Sequence, residues 1–239
     1  MKLRELFQNL ALGELSGSPF VELNGYELDS TKLPRVIHAI NQALTYIHTT
    51  FHIKQKQVVI KLNEFQSNYY LDSDYALTNH TSQLPKYILD SDQDKYLDDA
   101  LQVLGVFDIN GHSFPLNDTF AIGSVFTPEY NCIQVPEQLK QMGIHQLVVV
   151  YKANHSKIAL NEPLSSNVTI SLPSSYDSLL QAYVAYTLYM NMAGEAQVNL
   201  GSQYFAKVNT LTQQLVQQGI GVITQTGTNI RPQLEGWVS

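Results

Sequence analysis

The chain has 239 residues, a net charge of −7 and only 15% charged residues, against a usual share of roughly 25%. Its 14 Lys and Arg form no cluster, and Arg4, Arg35 and Arg231 are the only arginines, which excludes tight nucleic-acid binding through clustered cations. The single Cys132 excludes an intramolecular disulfide and a multi-cysteine zinc site.

A chain of this length holds one large domain or two smaller ones. Its polar surface is supplied by Gln, Asn, Ser and Thr, a composition common where subunits pack against each other. The opening "MKLRELFQNLALGEL" is interrupted by Arg4, Glu5, Gln8 and Asn9. It is therefore expected to be neither a signal peptide nor a membrane span, and synthesis in a cytoplasm follows. The sequons, Asn154-His155-Ser156 among them, are then chance matches.

Leu3, Leu6, Phe7 and Leu10 recur at helical spacing, and "GELSGSP" ends that helix. Over 31–51, Leu33, Val36, Ile37, Ile40, Leu44, Ile47 and Phe51 form one stripe, with Ser30 or Thr31 as cap and Pro34 in the first turn. From 53 to 173 the runs become short and β-branched: "KQVVIKLNEF", "NYYLD", "LQVLGVFDI", "TFAIGSVF", "NCIQV" and "HQLVVVYKA". Asn110-Gly111 marks a hairpin. Helical periodicity returns after Pro173. Leu180, Val184 and Leu188 make one stripe and Leu179, Tyr183, Tyr186 and Met190 a second, so the helix at 177–193 is apolar on two sides. A last helix over about 197–218 carries Tyr204, Val208, Leu211 and Leu215 and stops at Gly219.

These elements predict an α+β fold. A helical bundle is built from the N-terminal segment 1–52 and the C-terminal segment 174–219. A mainly antiparallel β domain, 53–173, is inserted between them, and 220–239 is an extended tail.

Candidate sites were tested in turn. Asp90, Asp92 and Asp94 match the first three ligand positions of a calcium loop. Lys95 replaces its glycine and Leu101 its bidentate glutamate, so the segment reads as a solvated acidic loop. His48 and His52 sit four apart but flank Thr49 where a metalloprotease needs Glu, and read as surface or interface histidines. Cys132 reads as a buried inert thiol. No nucleophile elbow, P-loop or dinucleotide fingerprint occurs, and Glu64, Glu129 and Glu137 are dispersed. The expectation is a non-enzyme without metal or cofactor.

Several segments resemble the adaptor, or head-to-tail connector, proteins of short-tailed phages of the SU10-like group. They are "LRELFQNLALGELS", "LPRVIHAINQALTYIHTTFHIKQKQVVIKL", "VFDINGHSFPLND", "LVVVYKANHSKI" and "ISLPSSYDSLLQAYVAYTLYMNM". The resemblance covers about residues 1–220. It implies a virion neck protein made in a bacterial host cytoplasm, in a ring of about twelve copies closed by heterologous contacts. Its implied partners are the portal protein, the tail nozzle protein and neighbouring copies of itself, with no membrane. Double-stranded DNA would pass through the channel without specific binding, which suits a negative chain.

Beyond Gly221 the sequence "VITQTGTNIRPQLEGWVS" looks unable to fold alone. Ile230, Leu234 and Trp237 are expected to be apolar anchors on a partner, Arg231 a polar contact, and "GVITQT" a strand for a partner's sheet edge. The alternative reading is a virion tail accessory protein with a glycan- or protein-binding β module, motivated by Tyr69, Tyr70, Tyr87 and Tyr96. A virion cell-wall hydrolase is a third reading, resting on scattered carboxylates and histidines.

Overall fold

The computed structural model describes residues 1–221. In chain order the elements begin with helices α1 (Leu3–Leu12) and α2 (Leu33–Thr50), then strands β1 (Gln55–Lys61), β2 (Asn68–Tyr70), β3 (Ala100–Phe107), β4 (Ser113–Phe114), β5 (Phe126–Glu129) and β6 (Cys132–Gln134). The short helix α3 (Glu137–Gln141), strand β7 (Gln146–Ala153) and helices α4 (Asp177–Met190) and α5 (Glu195–Gln217) complete them. The class is α+β with antiparallel sheets. The described chain divides into a helical unit, 1–53 with 155–221, and a β unit, 54–154.

In the helical unit, α1 buries Leu3, Leu6, Phe7 and Leu10, and Glu5 turns back to accept the Lys2 N–H at 2.9 Å, satisfying one unpaired donor of the first turn. Neither Ser30 nor Thr31 caps α2. The helix starts at Leu33 after Lys32, and the approach is held by Asp29, which accepts the Thr31 N–H at 2.9 Å and the Thr31 hydroxyl at 2.6 Å. Those bonds, Thr31's hydroxyl first, hold the Asp29 carboxyl down at about 2. α2 buries the expected stripe, Leu33 to Phe51, against α4. The buried residues of α5, Gly201, Val208 and Leu215, recur every seven positions, giving a narrow seam against α4. At Gly201 the backbones approach closely: a Cβ there would lie 2.7 Å from Met190 Sδ and 3.1 Å from the Met190 backbone nitrogen.

The segment 155–173, assigned to the β domain from its sequence, belongs to the helical unit. Its backbone is fixed at both ends by distant partners. The Asn41 amide donates to Ile158 O at 2.9 Å and accepts the Ile158 N–H at 3.0 Å. Leu3 N–H donates to Val168 O, and Ile170 N–H to Met1 O, both at 2.9 Å. Ile158, Ile170 and Leu172 then enter the helical core.

In the β unit, one sheet has the order β1-β7-β3-β4 and the other β2-β6-β5. β7 lies between two neighbours and all its residues but Gln146 are buried, which explains the unbroken apolar run "LVVVY". Leu147, Val149 and Tyr151 join Val58, Ile60, Val103 and Val106 on one face, while Val148 and Val150 meet Phe107 on the other. The predicted hairpin joins β3 to β4. Only Gly111 has positive φ there; the turn is held by Asp108, whose Oδ1 accepts the N–H groups of Asn110 and His112, each at 2.8 Å. "TFAIGSVF" is mostly a loop rather than a strand: β5 begins only at Phe126, and Phe120 and Ile122 stand exposed. Asp118 N–H donates to Ser124 Oγ at 3.0 Å and Phe120 N–H to Asp118 Oδ1 at 2.9 Å, so local polar bonds replace strand pairing.

Two outcomes follow for stability. Gly201→Ala gains up to about 1 kcal/mol of helix propensity but overpacks the α4–α5 seam, which costs about 1–3 kcal/mol; urea denaturation will show net destabilisation. At Asp90 and Asp108 burial acts upward, but hydrogen bonds outweigh it, from Thr78 and Tyr96 at Asp90 and from His112 and Asn110 at Asp108, so both carboxyls titrate below their ordinary value. Their contribution is complete above the unfolded value of about 3.9 and is lost as pH falls through the lowered folded values. Thermal midpoints measured from pH 5 to pH 2 will fall less steeply in Asp108→Asn than in the parent.

Candidate assembly surface

The second stripe of α4 is where the helical unit turns apolar surface outward. Leu180, Val184 and Leu188 are buried, as is Leu179, whereas Tyr183 and Tyr186 are half-buried and Met190 is 42% exposed. Tyr183 stacks on Tyr46 of α2 at 4.7 Å between centroids and meets Tyr186 edge-on at 5.6 Å. Tyr186 in turn packs against Phe205 of α5 at 5.2 Å. Four rings from three helices thus form a continuous strip. Tyr46 and Thr212 share a hydroxyl hydrogen bond at 3.1 Å, which ties α2 to α5 beside it. Burial pushes the Tyr183 hydroxyl above its ordinary value.

The surrounding face of α5 matches this. Of its 23 residues only Glu195 and Lys207 are charged, and Val198, Phe205 and Val216 are each at least 40% exposed. Lys207 is engaged at 2.6 Å with Glu14, whose carbonyl also accepts the hydroxyls of Tyr189 and Tyr204. Aromatic groups enriched over an uncharged patch are the composition of protein–protein interface cores.

The site residues expected from sequence, Ile230, Arg231, Leu234 and Trp237, lie outside the described residues, as does the strand expected after Gly221. The other candidates are placed as follows. Asp90 accepts the Thr78 and Tyr96 N–H groups at 3.0 and 3.2 Å, and Asp92 pairs with Lys95 at 3.3 Å. Among the described residues no group of three His, Cys, Asp and Glu is arranged to hold a metal ion. His48 is not on the surface: it is buried in the last turns of α2, with Nδ1 2.9 Å from Leu44 O. Cys132 is buried, and burial pushes its thiol up.

Of the four tyrosines that motivate a glycan-binding module, Tyr69, Tyr87 and Tyr96 are buried and Tyr70 is half-buried. The Tyr87 hydroxyl donates to Tyr70 O at 3.0 Å and that of Tyr96 to Leu71 O at 3.1 Å. Tyr69 and Tyr87 meet edge-on at 5.1 Å, so these rings pack against one another. Among the described residues no helix is long and apolar enough to cross a membrane.

Compared with known proteins, the chain matches no family model and no curated protein.

Sequence reasoning identified Tyr183, Tyr186 and Met190 through the second stripe but missed Tyr46 and Phe205. The available signal was the charge-poor composition of the last helix, in which an exposed Phe205 has no burial to explain it. Replacing Phe205 by Glu places a charge on the strip at a half-exposed position. Thermal stability will fall by about 0.7–1.5 kcal/mol, half the value of burying one large apolar side chain; if copies pair through the strip, self-association measured by sedimentation velocity will weaken.

Proposed function

We propose that the chain is a structural adaptor of a phage neck, forming a ring that joins the capsid portal to the tail nozzle and lines the DNA channel. The observation that carries this reading is the Tyr46–Tyr183–Tyr186–Phe205 strip on an uncharged helical face. A closed ring needs two different complementary patches on each copy, and the strip supplies one of them. In this reading the N- and C-terminal segments build a helical bundle that forms the body of the ring, with the β region as an insertion. The segments that resemble phage adaptors include α1 together with α2 and α4, two of the three helices that carry the strip.

The charge distribution supports passage of DNA without capture. The chain carries −7 overall, and walls without cation clusters gain little counterion release from phosphate. No enzymatic role is part of the proposal. The alternative glycan-binding module would need exposed ring faces, and the burial of Tyr69, Tyr87 and Tyr96 weighs against it.

The tail joins the ring to its partners. Residues 222–239 reach about 60 Å when extended at about 3.3 Å each. One buried large apolar side chain contributes about 1.5–3 kcal/mol, much of it offset by ordering the tail. A single tail therefore binds weakly, and a ring of tails acts through effective concentration. Trp237 and Leu234 are the anchors of this reading, with Ile230 and Arg231 beside them.

Purified protein mixed with portal will form rings visible by electron microscopy, and a strict monomer that ignores portal refutes the proposal. Deleting 222–239 will leave the thermal midpoint within about 0.5 kcal/mol of the parent in stability terms and reduce portal binding at least tenfold. Unchanged assembly of the truncated chain would remove the tail from the mechanism.

A further inference from the structure

We infer that Gly221 is the positioning residue of the C-terminal tail: it locks the tail's root against the end of α2, so that the tail leaves from a fixed point. The inference rests on the reading that the tail engages a partner.

The lock is assembled in two steps. After α5 ends, Gly219 takes a left-handed φ of 69°. Its N–H donates to Val216 O at 3.0 Å, and the Ile220 N–H reaches back to Leu215 O at 3.1 Å. This is a Schellman termination, in which the glycine conformation lets the last turn satisfy its own carbonyls. Buried Leu215 and partly buried Ile220 both belong to the helical core, which secures the turn.

The helix needs nothing more to stop, yet the chain makes a second left-handed residue. Gly221 has φ 65°, and its carbonyl accepts the His52 N–H at 2.7 Å. It sits where Phe51 and Tyr176 meet edge-on at 5.0 Å, both rings buried. A Cβ at 221 would lie 2.3 Å from Tyr176 Oη and 3.1 Å from Phe51 Cβ. Only glycine satisfies both the backbone angle and the space. The Tyr176 hydroxyl has no hydrogen-bond partner among the described residues.

Tether length does not account for the arrangement. Releasing the root back to Gln218 would lengthen the segment beyond it from 18 residues to 21. Effective concentration falls roughly as the −3/2 power of length, so the change is only about 1.3-fold. What the lock supplies is placement: each tail of a ring starts at the same position.

Gly221→Ala tests this in the full-length chain. In the isolated protein, hydrogen exchange at the His52 amide will accelerate at least tenfold. Gly221→Ala with Tyr176→Phe will recover part of that protection, since the oxygen that meets the new Cβ is gone. Tyr176→Phe alone will leave it at the parent level. Unchanged His52 exchange in Gly221→Ala overturns the lock. Portal affinity of Gly221→Ala will fall at least fivefold, and a fall of about 1.3-fold or less overturns the placement role. If the parent itself ignores portal while the exchange results hold, the adaptor reading fails and the lock stands.

Discussion

The helical unit depends on the burial of α4 on more than one side. Leu179, Leu180, Ala182, Val184, Ala185, Leu188 and Tyr189 are all buried, and they take up most of the helix circumference. α2 packs against it with a broad aliphatic stripe, whereas α5 packs through the seam of Gly201, Val208 and Leu215. The two contacts differ in kind. A broad stripe supplies most of the hydrophobic free energy, and a narrow one permits close approach but leaves much of α5 uncovered. The half-exposed ring strip is the visible result: α4 has more apolar surface than the described residues cover.

The β unit is organised by burial of polar groups in satisfied sets. Asp99 is nearly buried, yet Lys56 Nζ lies 2.7 Å from one oxygen and the Tyr151 hydroxyl donates to the other at 3.0 Å. Replacing one partner would leave a charge in a poor dielectric, the costly case for a buried pair. Tyr69, Tyr87 and Tyr96 likewise spend their hydroxyls on backbone groups nearby. Asp90, which accepts the Thr78 and Tyr96 N–H groups, and these three phenols hold loops and strands together.

The legible parts of this fold are those whose signal is local. Leu33 to Phe51 repeats with the helix period, and Asn110-Gly111 is read from adjacent residues; both correspond to a helix and a hairpin in the structure. The misread parts depend on partners far along the chain. Nothing within 155–173 announces that Ile158 will pair with the Asn41 amide or that Val168 will receive the Leu3 N–H. β-branched and aromatic residues in "TFAIGSVF" resemble a strand in composition, but strand formation needs an edge to pair with, and Asp118 and Ser124 offer the backbone a nearer alternative. His48 was misplaced because a polar residue on an amphipathic stripe reads as exposed, whereas its ring nitrogen lies against the Leu44 carbonyl of the preceding turn. Of the assembly surface, α4's share was legible as a periodicity; the shares of α2 and α5 were not, because three-helix adjacency has no one-dimensional trace.

The bonds joining Leu3 to Val168 and Met1 to Ile170 also set an order of events at the ribosome. α1 and α2 precede α4, against which α2 packs, by more than a hundred residues. At about 5–20 residues per second, their apolar stripes wait on the order of ten seconds or more for a partner. Among the described residues the β unit is one stretch, 54–154, and all its strands precede α4. Within 54–154 each strand has its pairing partners in the same stretch of chain, whereas the helical unit needs segments from both sides of it. Until α4 is made, the stripe of α2 lacks the helix it packs against.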